Sequence, residues 1–274
     1  MATGRAEIEF VDAGGCTRLA HLYQSDPLRI LFPNSGPGEP ETGALVTTSG
    51  GLVGGDQISI VIRCGTGAVA RIVGQAAEKI YRSTGKDVCI DMSLIAEPGS
   101  WLEWLPQETI IFDTARLRRR TVLEVATGAR VLAGEIIVLG RTAMGESVTG
   151  GLIHEAWDVR RDDRLVWADA VHLDDDLPVT LAANAGLNGA RAFASIIYVS
   201  DDAASALPLA RELLPEGLDP TGLRVGATCV GDVLIVRWLD RDAQRLRDAY
   251  GKFWAEFRHH VADLPAAMPR LWAI

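Results

Sequence analysis

Sulfur chemistry is scarce in this chain: its four cysteines, Cys16, Cys64, Cys89 and Cys229, are scattered through 274 residues without a CxxC spacing. That pattern argues against a disulfide framework or a structural zinc site and fits isolated reduced thiols. Long apolar runs are missing as well. No stretch approaches the ~20 apolar residues of a membrane span, and the opening MATGRAEIEF has no apolar core of signal-peptide length. Both absences predict a cytoplasmic protein that does not enter a membrane. Positive charge is in deficit, with 27 Lys and Arg against 36 Asp and Glu and a formal net charge of −9. Nucleic acid is thereby disfavoured as a partner, because affinity for a polyanion rests on cationic contacts to phosphate. The hydrophobic fraction of 48% is that of a folded protein and argues against disorder.

Missing motifs narrow the chemistry further. There is no GxSxG, and the five histidines stand in unrelated contexts, so a Ser-His-Asp arrangement has little support. Neither HExxH nor HxH is present to mark a compact metal site. The glycine-rich segment TTSGGLVGGDQIS, residues 47–59, lacks both the Gly-Lys-Ser/Thr of a Walker loop and the strand-to-helix setting of a dinucleotide fingerprint. It runs instead into Gln57–Ile62, whose β-branched alternation predicts a strand. Two readings of it stay open. It is a tight turn in which Asp56 bonds its own backbone, or a place where a ligand passes close to main chain. A turn role alone predicts that Asp56→Asn is mild, since asparagine accepts the same turn conformations.

What the chain does have is strand pattern. Alternation predicts strands at 5–11, 17–23, 43–48, 57–63, 68–74, 87–97, 101–105, 116–126, 130–139, 153–160 and 165–171, separated by glycine, proline and aspartate turns. Three segments share one plan: ISIVIRCGTGAVARIVGQ, VCIDMSLIAEPGSWLEWLPQ and LRRRTVLEVATGARVLAGEI each place a strand, a glycine corner and a second strand in succession. The corner residues Gly67, Gly99 and Gly128 recur at intervals of about thirty, a spacing that indicates stacked units. A β-sandwich with regular hairpins gives a similar rhythm.

The last third changes character. A short helix is predicted over 203–214, with Pro208 placing its start near Leu207. Strands follow at 224–228 and 233–239, and then a helix capped by Asp240 or Asp242. Its stripe of Ala243, Leu246, Tyr250, Phe253 and Phe257 either packs on the β body or meets a partner helix. The fold class is therefore mainly β: a layered, solenoid-like stack of bent strands with two C-terminal helices. No low-complexity linker interrupts it, and a single domain over 1–274 is expected.

Candidate chemistry is dispersed. Glu103, Glu108 and Asp113 supply the carboxylates that a carbohydrate-active enzyme pairs across a glycosidic bond, although exposed acids at strand ends explain them equally. Asp56, Glu78, Glu108, Asp113, Glu135, Glu146, His21 and His154 offer oxygen and imidazole donors of the kind that suit exchangeable divalent transition metals. Arg116, Arg118 and Arg120 alternate on one strand face and read as a solvated sheet edge, or as a docking patch for an acidic partner.

Five segments, SGGLVGGDQIS, QAAEKIYRS, LEWLPQETIIFD, LGRTAMGE and the terminal MPRLWAI, resemble in order and spacing the urease accessory protein D family (UreD, called UreH in some organisms). The resemblance covers nearly the whole chain. Two departures, TTSGG and GQAAEK, replace residues common in relatives without removing a carboxylate. The resemblance implies a non-enzymatic scaffold of the cytoplasm that joins a UreF-type accessory protein and a UreG-type GTPase on urease apoprotein and helps deliver nickel to its dinuclear centre. It implies no tightly bound cofactor, only transient Ni²⁺ moving along an internal tunnel. Gly54 and Gly55 then clear space beside Asp56, and Asp56, Glu78 and Glu146 are the expected metal contacts.

Overall fold

The computed structural model describes residues 1–141, 144–174, 176–215 and 222–273. Strands occupy Thr3–Asp12 (β1), Thr17–Gln24 (β2), Leu28–Leu31 (β3), Glu41–Thr47 (β4), Gln57–Cys64 (β5), Val69–Gln75 (β6), Glu78–Ile80 (β7), Val88–Ala96 (β8) and Trp101–Leu105 (β9). They continue with Thr109–Ile111 (β10), Arg116–Val125 (β11), Arg130–Leu139 (β12), Leu152–Arg161 (β13), Arg164–Asp174 (β14), Ala192–Val199 (β15), Arg224–Val230 (β16) and Val233–Asp240 (β17). Helices span Leu177–Ala182 (α1), Ala203–Glu212 (α2) and Ala243–Ala262 (α3).

The strands sort into two sheets. One runs β14-β13-β11-β8-β5-β1-β2, the other β16-β17-β15-β12-β9-β6-β4-β3, with β10 and β7 added beside β12. Each predicted unit crosses from the first sheet to the second: β5 to β6, β8 to β9, β11 to β12. The crossing needs a residue in the left-handed region, and Gly67, Gly99 and Gly128 take φ of +70°, +71° and +76°. Their turns lie on one another, with the Gly99 amide donating to the Gly128 carbonyl at 3.2 Å. Successive units therefore pair in parallel, and the result is a solenoid-like stack.

Period-two alternation fills the space between the sheets. Ile58, Ile60 and Ile62 of β5 and Ile90, Met92 and Leu94 of β8 face Ala70, Ile72, Leu102 and Trp104 across the gap. A second core lies on the other side of the second sheet, beneath α2 and α3. Strand β12 is buried on both faces, and its residues after Arg130 are apolar or glycine except for Glu135.

Helix α3 begins as expected at Asp242, whose side chain accepts from the amides of Gln244 (2.9 Å) and Arg245 (3.1 Å). Leu246, Tyr250, Phe253 and Phe257 are buried against the β body, which decides between the two readings of that stripe. Gly251, Trp254, Ala255 and Arg258 are buried too, because the chain's end folds back over the helix and stacks Trp272 on Tyr250 at 5.7 Å.

Three expectations are corrected. Helix α2 starts at Ala203, not near Leu207, and Pro208 sits inside it. Ala203, Ala206 and Ala210 seat its first turns on the second sheet, while the proline ring faces solvent. Arg116, Arg118 and Arg120 do not mark an edge, since β11 is an interior strand between β13 and β8. Arg116 and Arg118 pair with Asp87, the residue before β8, and Arg120 with Asp158 of β13, so the neighbours on either side supply the countercharge. Finally, β3, β7, β10, β15 and α1 went unread. Four of these are six residues or shorter, too brief for periodicity to show, and β15 is the uniformly apolar AFASIIYV of a central strand. Among the described residues no helix is long and apolar enough to cross a membrane.

Candidate functional site

Connections opposite the glycine corners bring three of the family-like segments together. The Leu52 amide donates to the Lys79 carbonyl (2.7 Å) and the Tyr81 amide to that of Leu52 (2.9 Å). Strand β7 pairs with β10 in parallel, Thr109 opposite Glu78, and β10 continues onto β12. Gly51 makes the approach possible. At φ +143°, a Cβ there would lie 2.6 Å from the Tyr81 ring and 2.8 Å from the Lys79 carbonyl oxygen. A fourth segment, LGRTAMGE, of which residues 142–143 lie outside those described, closes on the same end. Its Glu146 accepts from the Asp113 amide at 3.4 Å. The terminal segment joins through Gln107, whose Nε2 donates to the Leu271 carbonyl (2.7 Å).

These connections roof a cavity of about 410 Å³ between the two sheets. Its walls are mainly apolar, including Leu52, Ile60, Met92 and Trp104, and its polar groups are few: Thr47, Gln75, Glu78, Lys79, Gln107, Thr109 and Arg119. Glu78 accepts from the Thr47 hydroxyl (2.5 Å) and from the Lys79 amide (3.1 Å). Burial raises its carboxyl above the ordinary glutamate value, against the opposing pull of Thr47, the Lys79 amide and the Arg119 charge.

Behind the cavity stands a charge cluster that the sequence reading missed. Arg119 donates through Nε to both Glu155 oxygens (2.9 and 2.7 Å), through Nη2 to Glu135 at 2.9 Å and through Nη1 to the Thr109 hydroxyl at 3.0 Å. The Trp157 indole donates to the remaining Glu135 oxygen at 3.0 Å. All three charged groups are buried. Burial and the neighbouring Glu135 lift the Glu155 carboxyl well above its usual range, with Arg119 opposing. A signal for Arg119 was present: on a strand of period two it shares the inward face with Leu117, Thr121 and Leu123.

The expected site residues are not brought together. Glu78 lines the cavity; Asp56 and Glu146 do not. Asp56 is buried in its own turn, Oδ2 accepting from the Val53 amide (2.9 Å) and Oδ1 from the Ala2 amide (2.6 Å). The space that Gly54 clears is taken by the Ser83 hydroxyl and the Lys86 carbonyl, and that of Gly55 by Met1. Glu146 is forked by Arg141, at 2.9 and 3.1 Å, and this bond holds its carboxyl down at about 2. Glu103 is buried against Arg258, Glu108 pairs with Arg247, and Asp113 accepts from Thr149, so each of these acids has its own partner and no facing carboxylate pair is formed. His21 pairs with Glu7 at the surface, and His154 lies on the outer face of the first sheet. Among the described residues no three His, Cys, Asp or Glu side chains are grouped to hold a metal.

The geometry revises the expectation for Asp56→Asn. Both carboxylate oxygens accept from amides, and an asparagine can present only one oxygen while its NH₂ faces the other donor. The variant is expected to lose about 1–3 kcal/mol of stability, checked by chemical denaturation. An unchanged midpoint would mean that the turn tolerates the amide.

Residues 2–273 match the family model described as UreD urease accessory protein. A urease accessory protein UreD from Magnetococcus marinus is 45% identical over 272 residues, covering 99% of this chain and 94% of the relative. That of Xanthobacter autotrophicus is 40% identical, covering 98% and 89%. That of Azorhizobium caulinodans is 36% identical, covering 100% and 97%. With a family match that spans the chain and relatives this similar over nearly their full lengths, the chain belongs to the UreD urease accessory protein family.

Proposed function

We propose that this chain is a non-enzymatic scaffold for urease maturation in the cytoplasm. It assembles with a UreF-type protein and a UreG-type GTPase on urease apoprotein, and Ni²⁺ passes through it as cargo with no cofactor held tightly. The observation that carries this reading is the cavity between the sheets, with Glu78 among a few polar groups in an apolar wall. A route of that kind needs replaceable ligands. Ni²⁺ is outcompeted by Cu²⁺ at most N/O sites, so an enclosed path selects by access where affinity cannot. One carboxylate and a hydroxyl hold a cation weakly enough to release it. Asp56 and Glu146 remain proposed contacts of lower rank, because both are already engaged by amides or arginine.

The test is co-expression with urease and the other accessory proteins, with and without this chain, reading nickel per urease active site. Glu78→Gln is the informative variant. Its oxygen can still accept from the Lys79 amide and its NH₂ can donate to Thr47, so the fold is kept while the charge is removed. The variant is expected to co-purify with both partners and to yield urease with less nickel. Full loading by Glu78→Gln removes Glu78 from the path. Full loading without the chain overturns the function.

A further inference from the structure

The outer face of the first sheet carries a pair of side chains that the reading above does not use. His154 of β13 and His172 of β14 are directly opposed in the antiparallel ladder. Their Nδ1 atoms approach to 3.2 Å, with ring centroids 5.3 Å apart and the rings at 69°. Two neutral imidazoles in contact through Nδ1 share one proton. The same separation suits a chelate: two metal–nitrogen bonds of ~2.05 Å that span it enclose an angle of roughly 100°, between the square-planar and tetrahedral values.

The surroundings leave the pair open to solvent. His172 is exposed and His154 half-exposed; the flanking rungs on that face are Ala156 with Ala170, which puts no bulk beside the pair, and Leu152 with Asp174. The cation opposite His154 on the other side is Arg118, which pairs at 2.5 Å with Asp87, a carboxylate it shares with Arg116. The other histidines lack this arrangement. His259 and His260 direct Nδ1 to the carbonyls of Leu264 and Glu256, and His21 meets Glu7.

We infer that His154 and His172 form a two-imidazole surface site for a borderline divalent cation such as Ni²⁺, Cu²⁺ or Zn²⁺. Both rings bind through Nδ1. The ring that holds the shared proton on Nδ1 gives it up and takes one at Nε2, so both ligands stay neutral with a proton on each Nε2, and a pair that is neutral at the outset releases no net proton. Water, or a donor from another protein, completes the shell, which makes the site exchangeable. It lies outside the cavity, and binding by the isolated chain tests it without urease.

The experiment is calorimetric titration of the tag-free full chain with Ni²⁺ alone in a non-coordinating buffer, paired with pulsed electron paramagnetic resonance on the chain loaded with one equivalent of Cu²⁺. One ion per chain is expected, with two equatorial imidazole nitrogens on Cu²⁺. His154→Gln and His172→Gln should each weaken Ni²⁺ by at least about tenfold, since the second imidazole binds intramolecularly. His259→Gln, whose ring is engaged by the Leu264 carbonyl, should leave the titration unchanged. Unchanged Ni²⁺ binding in the double His154→Gln/His172→Gln variant overturns the site, as does a Cu²⁺ spectrum with fewer than two imidazoles or no binding by the native chain. A failure of Glu78→Gln to alter urease loading bears only on the cavity, so the two readings fail separately.

Discussion

Replacing Arg119 with methionine is expected to remove about 3–5 kcal/mol of stability. The guanidinium is the common partner of Glu135 and Glu155 and also holds the Thr109 hydroxyl. Removing it leaves two carboxyl groups buried beside one another with only Trp157 donating to them. Burial already raises the Glu155 carboxyl with Arg119 opposing, and without Arg119 the pair cannot be ionised together at acceptable cost. At about 2–4 °C per kcal/mol for a chain of this size, the melting temperature should fall by roughly 10 °C. The decisive comparison is Arg119→Met with Arg119→Met/Glu155→Gln. The second change removes one of the stranded acids, so the double variant should regain part of the loss. If Arg119→Met stays within about 1 kcal/mol of the native chain, the cluster does not stabilise the fold, and its role is confined to the polarity of the cavity it backs.

Phe253→Ala is expected to remove a similar amount, about 3–5 kcal/mol, by leaving a hole in the second core. Phe253 is buried between Trp238 (5.4 Å between ring centroids) and Phe257 (5.2 Å). These rings lie in a layer closed on its far side by Trp254 and by Trp272 on Tyr250. Little backbone can relax into the gap, because the sheet below is held on both faces and α3 is clamped by Arg258. That arginine, itself buried, bonds Glu103 and Glu39 as well as the carbonyls of Pro265 and Ala267. Denaturation with urea should show the lowered midpoint. A variant that keeps full stability yet loses a UreF-type partner would reassign the stripe to an interface.

The family-like segments were legible as words but not as a place. SGGLVGGDQIS, QAAEKIYRS and LEWLPQETIIFD lie tens of residues apart, and only the parallel stacking of their strands puts them around one cavity. Glu78 was named from resemblance and lies in that wall. Asp56 was named for the same reason, and its carboxylate turns to the amides of Val53 and Ala2. The Ala2 bond spans 54 positions, a partner that no reading of the turn supplies.

The sequence by itself determined the strand period, the glycine corners and the apolar face of α3, because each is a local property. Alternation assigns a side chain to one face of its own strand, a left-handed corner favours glycine where it occurs, and a 3,4 spacing marks a helix stripe regardless of what covers it. Only the tertiary structure decided which side chains meet. Arg119 faces Glu135 and Glu155, His154 faces His172, and Arg116 and Arg118 find Asp87, through registers set between strands rather than within them. The physical reason is one of range: periodicity fixes which way a side chain points, whereas the partner it reaches depends on pairing and packing accumulated over the whole stack.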